Sequence, residues 1–229
     1  MPGGTKPAGH PDVCGWLDCW VGGGMADRPT GHPPYGATGH PATGHSHYGR
    51  GSGDAGLSAV AGSGGIHFFT INLLERRSDL LVGHIGTLRE AVRRTRRERP
   101  FHIDAWVVLP EHMHCIITLP EGDDDFSNRI KAIKIRFVRA IPATERRSPT
   151  RVACGEQGVW QRRFWEHAIR GDGDYVRHLD HVHFNPVKHG HVSFARDWPY
   201  STFHRLVRTG LYPADWGAGD MEDFATGER

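Results

Sequence analysis

HIDAWVVLPEHMHCIITL, residues His102–Leu119, reads as two apolar strands hinged on Pro110-Glu111. Proline fixes φ and has no N–H for a ladder, so the dipeptide marks a tight turn and the flanking runs pair as a hairpin. Successive strand side chains point to opposite faces. In the second strand His112, His114, Ile116 and Thr118 therefore leave one side of the sheet, and Met113, Cys115, Ile117 and Leu119 form an apolar row on the other. Two imidazoles on adjacent same-face positions can reach one divalent ion. An incidental His-x-His triplet fits the same spacing, so the neighbouring elements must decide.

Upstream, Ile66–Leu74 follows a Gly-Ser-Gly-Gly breaker and is rich in β-branched and aromatic residues, which predicts a first strand. Leu81, Ile85, Leu88 and Val92 recur at helical spacing between Ser78 as N-cap and Pro100 as terminator, giving a helix over Asp79–Glu98. Downstream of the acidic loop Glu121–Asp125, Ile130, Ile133 and Phe137 mark a second helix ending near Pro142. Val159–Ile169 reads as a fourth strand, and Gly171-Asp172-Gly173 turns into a third helix over Asp174–Phe184, closed by Pro186 and Gly190. The order β-α-β-β-α-β-α predicts a ferredoxin-like α+β sandwich, an antiparallel sheet with helices on one face.

Residues 1–64 are dominated by Gly, Pro, Ala, Ser and Thr with recurrent Gly-His pairs, and such a stretch buries too little apolar surface to offset its ordering entropy. We expect a low-complexity, mostly disordered extension, a folded domain over 65–216 and an acidic polar tail over 217–229. Cys14, Cys19, Cys115 and Cys154 form no C-x-x-C pair, so neither a disulfide framework nor a zinc ribbon is expected. No apolar run is long enough to span a membrane and no signal peptide is evident, so the expected location is cytoplasmic.

The formal charge of +2 conceals a split: Ile66–Gly210 carries 24 Lys and Arg against 17 Asp and Glu. Two clusters stand out, Arg93, Arg94, Arg96 and Arg97 on the first helix, and Arg129, Lys131, Lys134, Arg136 and Arg139 on the second. Either is a solvated helix face or a surface for a polyanion. The third helix places His178, His181 and Asn185 at spacings of three and four, along one face, where they offer the His112/His114 pair a third donor. Asn185 is either a hard oxygen ligand for Mg2+ or Mn2+ or a helix C-terminal cap before Pro186.

Three blocks, His112-Met113-His114, Trp160–His167 (WQRRFWEH) and His183–Gly190 (HFNPVKHG), resemble in order and spacing the REP-associated tyrosine transposases, members of the single-tyrosine HUH transposases. The likeness runs from about Gly65 to Trp216. It implies a ferredoxin-like domain that binds, nicks and rejoins single-stranded DNA at palindromic hairpins with a divalent metal, Mg2+ or Mn2+. His112 and His114 fall on the family's metal-ligand positions, and Asn185 on its third polar ligand.

The family's nucleophile is a tyrosine in a motif close to Asp-Tyr-Ile-His-Phe-Asn-Pro, and here the matching stretch is Asp180–Pro186, DHVHFNP, with His181 at that position. Histidine can carry a phosphoryl group, or can serve as a third imidazole on the metal. The alternative is a catalytically impaired DNA-binding protein of the same fold. Tyr175 lies about 240° round the helix from His181, so it is expected in the core, and Tyr200 in a capping segment.

Lys188 and His189 are candidate phosphate contacts beside the arginine clusters and Lys131 and Lys134. Trp160, Phe164 and Trp165 either stack on unpaired bases or pack in the core. Glu166 and His167 either orient the metal ligands or divide between solvent and core by strand alternation. An RNA-binding domain of this fold is disfavoured by the lack of paired aromatic RNP-type motifs. The sequence leaves a homo-oligomer open.

Overall fold

The computed structural model describes residues 64–76, 78–142 and 158–217. The expected low-complexity extension, apart from Gly64, the acidic tail from residue 218 and the loop around Pro149 and Gly155 lie outside the described residues. The elements are β1 Ile66–Asn72, α1 Leu80–Gly83, α2 Ile85–Glu98, β2 His102–Val108, β3 His112–Thr118, α3 Phe126–Ala140, β4 Trp165–Ala168, α4 Asp172–Lys188, a 3-10 turn at Ala195–Asp197 and α5 Phe203–Arg208. The four strands form one antiparallel sheet in the order β2-β3-β1-β4. This is the expected ferredoxin-like α+β arrangement.

Strand alternation divides the core in two. Phe69, Ile71, Leu73, Met113, Cys115 and Ile117 pack against Leu88, Ala91 and Val92 of α2 and Ile130, Ile133 and Phe137 of α3. On the other face Ile66, Phe68 and Ile116 pack against Leu179 and Val182 of α4 and Phe203 and Leu206 of α5. The expectation of helices on one face holds for α2 and α3 but not for α4, which covers the opposite face. In β2 a bulge between Ile103 and Ala105 lets both residues find a core on opposite sides of the sheet.

Three boundaries differ from the sequence reading. The first helix breaks at His84, where φ −115° and ψ 34° leave the helical region beside Gly83 and Gly86, although Ser78 Oγ still accepts the Leu80 N–H at 3.1 Å. The fourth strand shrinks to four residues. Trp160 pairs only in an isolated bridge to Leu73 and donates its Nε1–H to Lys134 O at 3.2 Å. The third helix runs through Pro186 to Lys188 and ends when the His191 and Gly190 N–H groups bond Pro186 O and Val187 O, with Gly190 at φ +69°. These are the two bonds of a Schellman motif, whose left-handed residue favours glycine. Among the described residues no helix is long and apolar enough to cross a membrane.

Candidate functional site

The β3 histidines stand side by side on the α4 face, with ring centroids 4.9 Å apart. The register pairs His114 with Thr70 and His112 with Asn72 of β1. Thr70 Oγ1 lies 3.0 Å from His114 Nδ1, and His112 Nδ1 donates to Glu111 Oε1 at 3.1 Å. Contacts of this kind fix an imidazole's orientation and tautomer. Neither Thr70 nor Glu111 was expected from sequence. Thr70 depends on a register that only pairing reveals, and Glu111 reads there as a turn residue.

Across from this pair, α4 supplies His181 and Asn185, which are 3% and 1% exposed. Asn185 is not the helix cap: three further residues are helical, and its backbone oxygen accepts the His189 N–H at 3.0 Å. Its Nδ2 donates to His181 Nε2 at 3.3 Å, while its Oδ1 is buried and accepts no hydrogen bond. A buried amide oxygen in that state is costly unless something electropositive meets it. The His181 ring centroid lies 5.0 Å from that of His114, and the His189 centroid 5.1 Å from that of His112. Four imidazoles thus follow one another from exposed His189 to buried His181. Burial, and then the neighbouring His112, hold the His189 pKa below the usual imidazole range.

His112, His114 and His181 do not bring three donor atoms within 4.8 Å of one another. His181 is beside the pair without closing a three-imidazole set around it. His178, expected on the same helix face, is set apart by Phe68. The Phe68 ring centroid lies 5.7 Å from His114, 5.6 Å from His181 and 4.9 Å from His178. Beyond that ring His178 stacks on His167 of β4 with centroids 4.5 Å apart. Glu166 and His167 part as alternation requires: Glu166 accepts from His67 Nδ1 at 2.9 Å and His167 Nε2 donates to Asp174 at 2.8 Å.

The arginine clusters are not brought to this site. Arg93, Arg94, Arg96 and Arg97 ride on α2, and Lys131 and Lys134 on α3, both on the far side of the sheet. Much of that charge is committed within the protein. Arg93 pairs with Glu90, Arg94 with Glu98 at 3.2 Å, and Arg97 with Glu90 at 3.6 Å, and Arg96 Nε donates to Phe101 O at 3.1 Å. Lys134 Nζ donates to Gln161 O at 2.7 Å and acts as a strut, with its pKa lowered by burial. Arg129 is buried and clamps Asp123 and the Pro100 carbonyl. Lys131 is exposed on α3, and Lys188 is exposed at the His189 end of α4.

The remaining candidates pack in or against the two cores. Trp160 and Phe164 belong to the α2/α3 core, whereas Trp165 is half-buried against the α4 core. Tyr175 packs against the α4 core with its hydroxyl 3.5 Å from Asp104 Oδ1, and Tyr200 packs against the α2/α3 core.

No family model matches the chain. The curated REP-associated tyrosine transposase of Escherichia coli is 56% identical over 166 residues, which is 72% of this chain and 92% of that protein. A putative REP-associated tyrosine transposase of Haemophilus influenzae is 46% identical over 155 residues, 67% of this chain and 88% of its own length. A solved structure of the REP-associated tyrosine transposase bound to a REP hairpin superposes with a TM-score of 0.62 at 56% identity, covering 73% of this chain and 93% of that one. With the sheet order, the paired histidines of β3 and this identity in hand, the chain belongs to the REP-associated tyrosine transposases.

Proposed function

We propose that this protein binds palindromic hairpin DNA and holds a divalent metal at His112, His114 and Asn185, but does not form the family's covalent link to DNA, because His181 stands where the tyrosine would. The observation that carries the metal reading is the Asn185 Oδ1 atom, buried and without a hydrogen bond, opposite two imidazoles whose Nδ1 atoms are already engaged. Of Mg2+ and Mn2+, two imidazoles and an amide oxygen suit Mn2+ better, because Mg2+ prefers oxygen donors throughout. A cation bound there supplies Lewis-acid polarisation of a phosphodiester.

The chain's own residues account for the rest. Thr70 and Glu111 fix the ring orientations, Phe68 closes the inner wall, and exposed Lys188 is the cation placed to meet a phosphate at the open end. A phosphotyrosine link needs a phenol that reaches the scissile phosphate. The His181 imidazole is shorter than a tyrosine side chain, and its Nε2 already meets Asn185 Nδ2 at 3.3 Å. That favours a hairpin-binding protein with cleavage silenced over one that attacks through histidine.

Binding is tested with a labelled REP-type hairpin against a scrambled strand of equal length, at matched salt because phosphate contacts dominate affinity. The hairpin is expected to bind at least tenfold tighter, with Mn2+ strengthening the complex and His114→Ala abolishing the Mn2+ effect. Equal binding of the two strands contradicts the reading.

A further inference from the structure

The His167, Asp174 and His178 side chains lie outside the site just described, cut off from it by Phe68. Each offers a donor atom, and the three donors lie within 4.8 Å of one another; among the described residues no other three His, Cys, Asp or Glu side chains do so. Asp174 and His178 are one helical turn apart on α4, the i, i+4 spacing that sets two ligands on one face. His167 comes to them from β4.

We propose that these three residues form a second metal site, for a Zn2+-class ion, which clasps β4 to the helix carrying His181 and Asn185. Two imidazoles and one carboxylate suit a borderline transition metal and disfavour Mg2+, which prefers oxygen throughout. Donors about 2.0–2.1 Å from a tetrahedral zinc sit roughly 3.3 Å apart, against 2.8 Å between His167 Nε2 and Asp174 Oδ2 and at most 4.8 Å across the set here.

The surroundings support ligation independently of the spacing. His178 is 4% exposed, its Nδ1–H donates to the Asp174 carbonyl at 2.9 Å, and its Nε2 is buried with no hydrogen bond. That is the tautomer in which metal-ligating histidines present a lone pair. Asp174 is oriented by the Arg170 N–H at 2.9 Å and by Arg177 Nη2 at 3.3 Å. His167 is half-buried and stacks on Trp165 at an interplanar angle of 4°, which holds the ring in place while leaving an entry path. Without metal, a proton on His167 Nε2 bridges to Asp174 Oδ2 at 2.8 Å, so binding displaces that proton.

The clasp also answers a weakness of the fold. β4 has four residues, pairs only with β1, and lies at the sheet edge, so a bond from it to α4 fixes the edge and the helix together.

The full chain, stripped with EDTA and dialysed against micromolar Zn2+, is compared with His167→Gln, Asp174→Asn and the double variant His112→Ala/His114→Ala. Bound zinc is counted by mass spectrometry, and Co2+ substitution reads the coordination by its visible absorption. His167→Gln changes a half-exposed side chain and Asp174→Asn keeps the shape, and circular dichroism checks that both fold. We expect each to bind one equivalent less Zn2+ than wild type, with loss of one tetrahedral Co2+ spectrum. The His112/His114 double variant should keep that equivalent and lose it on addition of His167→Gln. Equal zinc content in wild type, His167→Gln and Asp174→Asn overturns the site, as does an equivalent that vanishes with His112 and His114 alone. Hairpin binding plays no part in this readout, so its failure and that of the hairpin reading are separable.

Discussion

On the α2/α3 side of the sheet β3 contributes Met113, Cys115 and Ile117 to a core of aliphatic and aromatic side chains; on the α4 side the same strand contributes His112 and His114. Most buried polar residues follow the second pattern, with Thr95 of α2 and Arg129 of α3 as exceptions. Thr70, His178, His181, His183, Asn185, Ser201 and Thr202 all belong to the α4 side or its C-terminal cover. Buried polar groups cost free energy unless they are satisfied, and several atoms here are not. One face therefore carries the larger apolar core, and the other gives up part of its stabilisation to buried polar groups.

The surface charges divide in the opposite sense. The α2/α3 side carries the arginines that stand out in the sequence, but ion pairs and backbone carbonyls take up many of them.

The contrast between the faces can be broken by substitution, and the largest effect is expected in the apolar core. Phe137→Ala should cost about 3–5 kcal/mol in urea unfolding, and hairpin affinity per folded molecule should be unchanged. A comparable loss of affinity would mean that the faces are not separable.

The next effect is a pH dependence on the α4 side. Burial, and then the charges of Arg205 and His204, push the His183 pKa down to about 3. Its folded value lies below the unfolded value of about 6.5, so its contribution to stability is fully present above about pH 6.5 and is lost as pH falls towards 3. In EDTA the slope should approach about 1.4 kcal/mol per pH unit within that window, and His183→Phe should flatten it. An unchanged slope would place the acid sensitivity elsewhere.

Smaller again is the effect expected beside the proposed metal ligands. Thr70→Val removes the hydroxyl at His114 Nδ1 and should weaken Mn2+ binding about 10–100-fold by calorimetry, with little change in the melting temperature. Smallest is the surface: Lys188→Ala should lower hairpin affinity less than tenfold and reduce the salt slope by about one, whereas Lys131→Ala and Arg94→Ala should do neither. The reverse ranking would move the DNA to the α2/α3 side.

Much of this organisation is legible in sequence where it depends on local period. The alternation in β3 gave both the apolar row and the histidine face, and the 3.6-residue spacing gave the stripes of α2 and α3. Elements set by tertiary contacts were not legible. Pro186 reads as a terminator because it lacks an N–H, yet α4 continues past it and is closed by Gly190. The fourth strand shortens because residues 161–164 leave the ladder between the Trp160–Leu73 bridge and Trp165. His178 shares a helical face with His181 on paper, and only the Phe68 ring, brought in by β1, sends it to a different cluster.

His181 of α4 sits at the centre of the proposed chemistry, and a covalent trap tests its role directly. Wild type and His181→Tyr are incubated with a 5′-labelled REP-type hairpin and Mn2+, then resolved on a denaturing gel. Both are expected to bind the hairpin, wild type to give no band of protein-linked DNA, and His181→Tyr to give one. A protein-linked band from wild type that disappears in His181→Ala would contradict that expectation and make His181 the nucleophile.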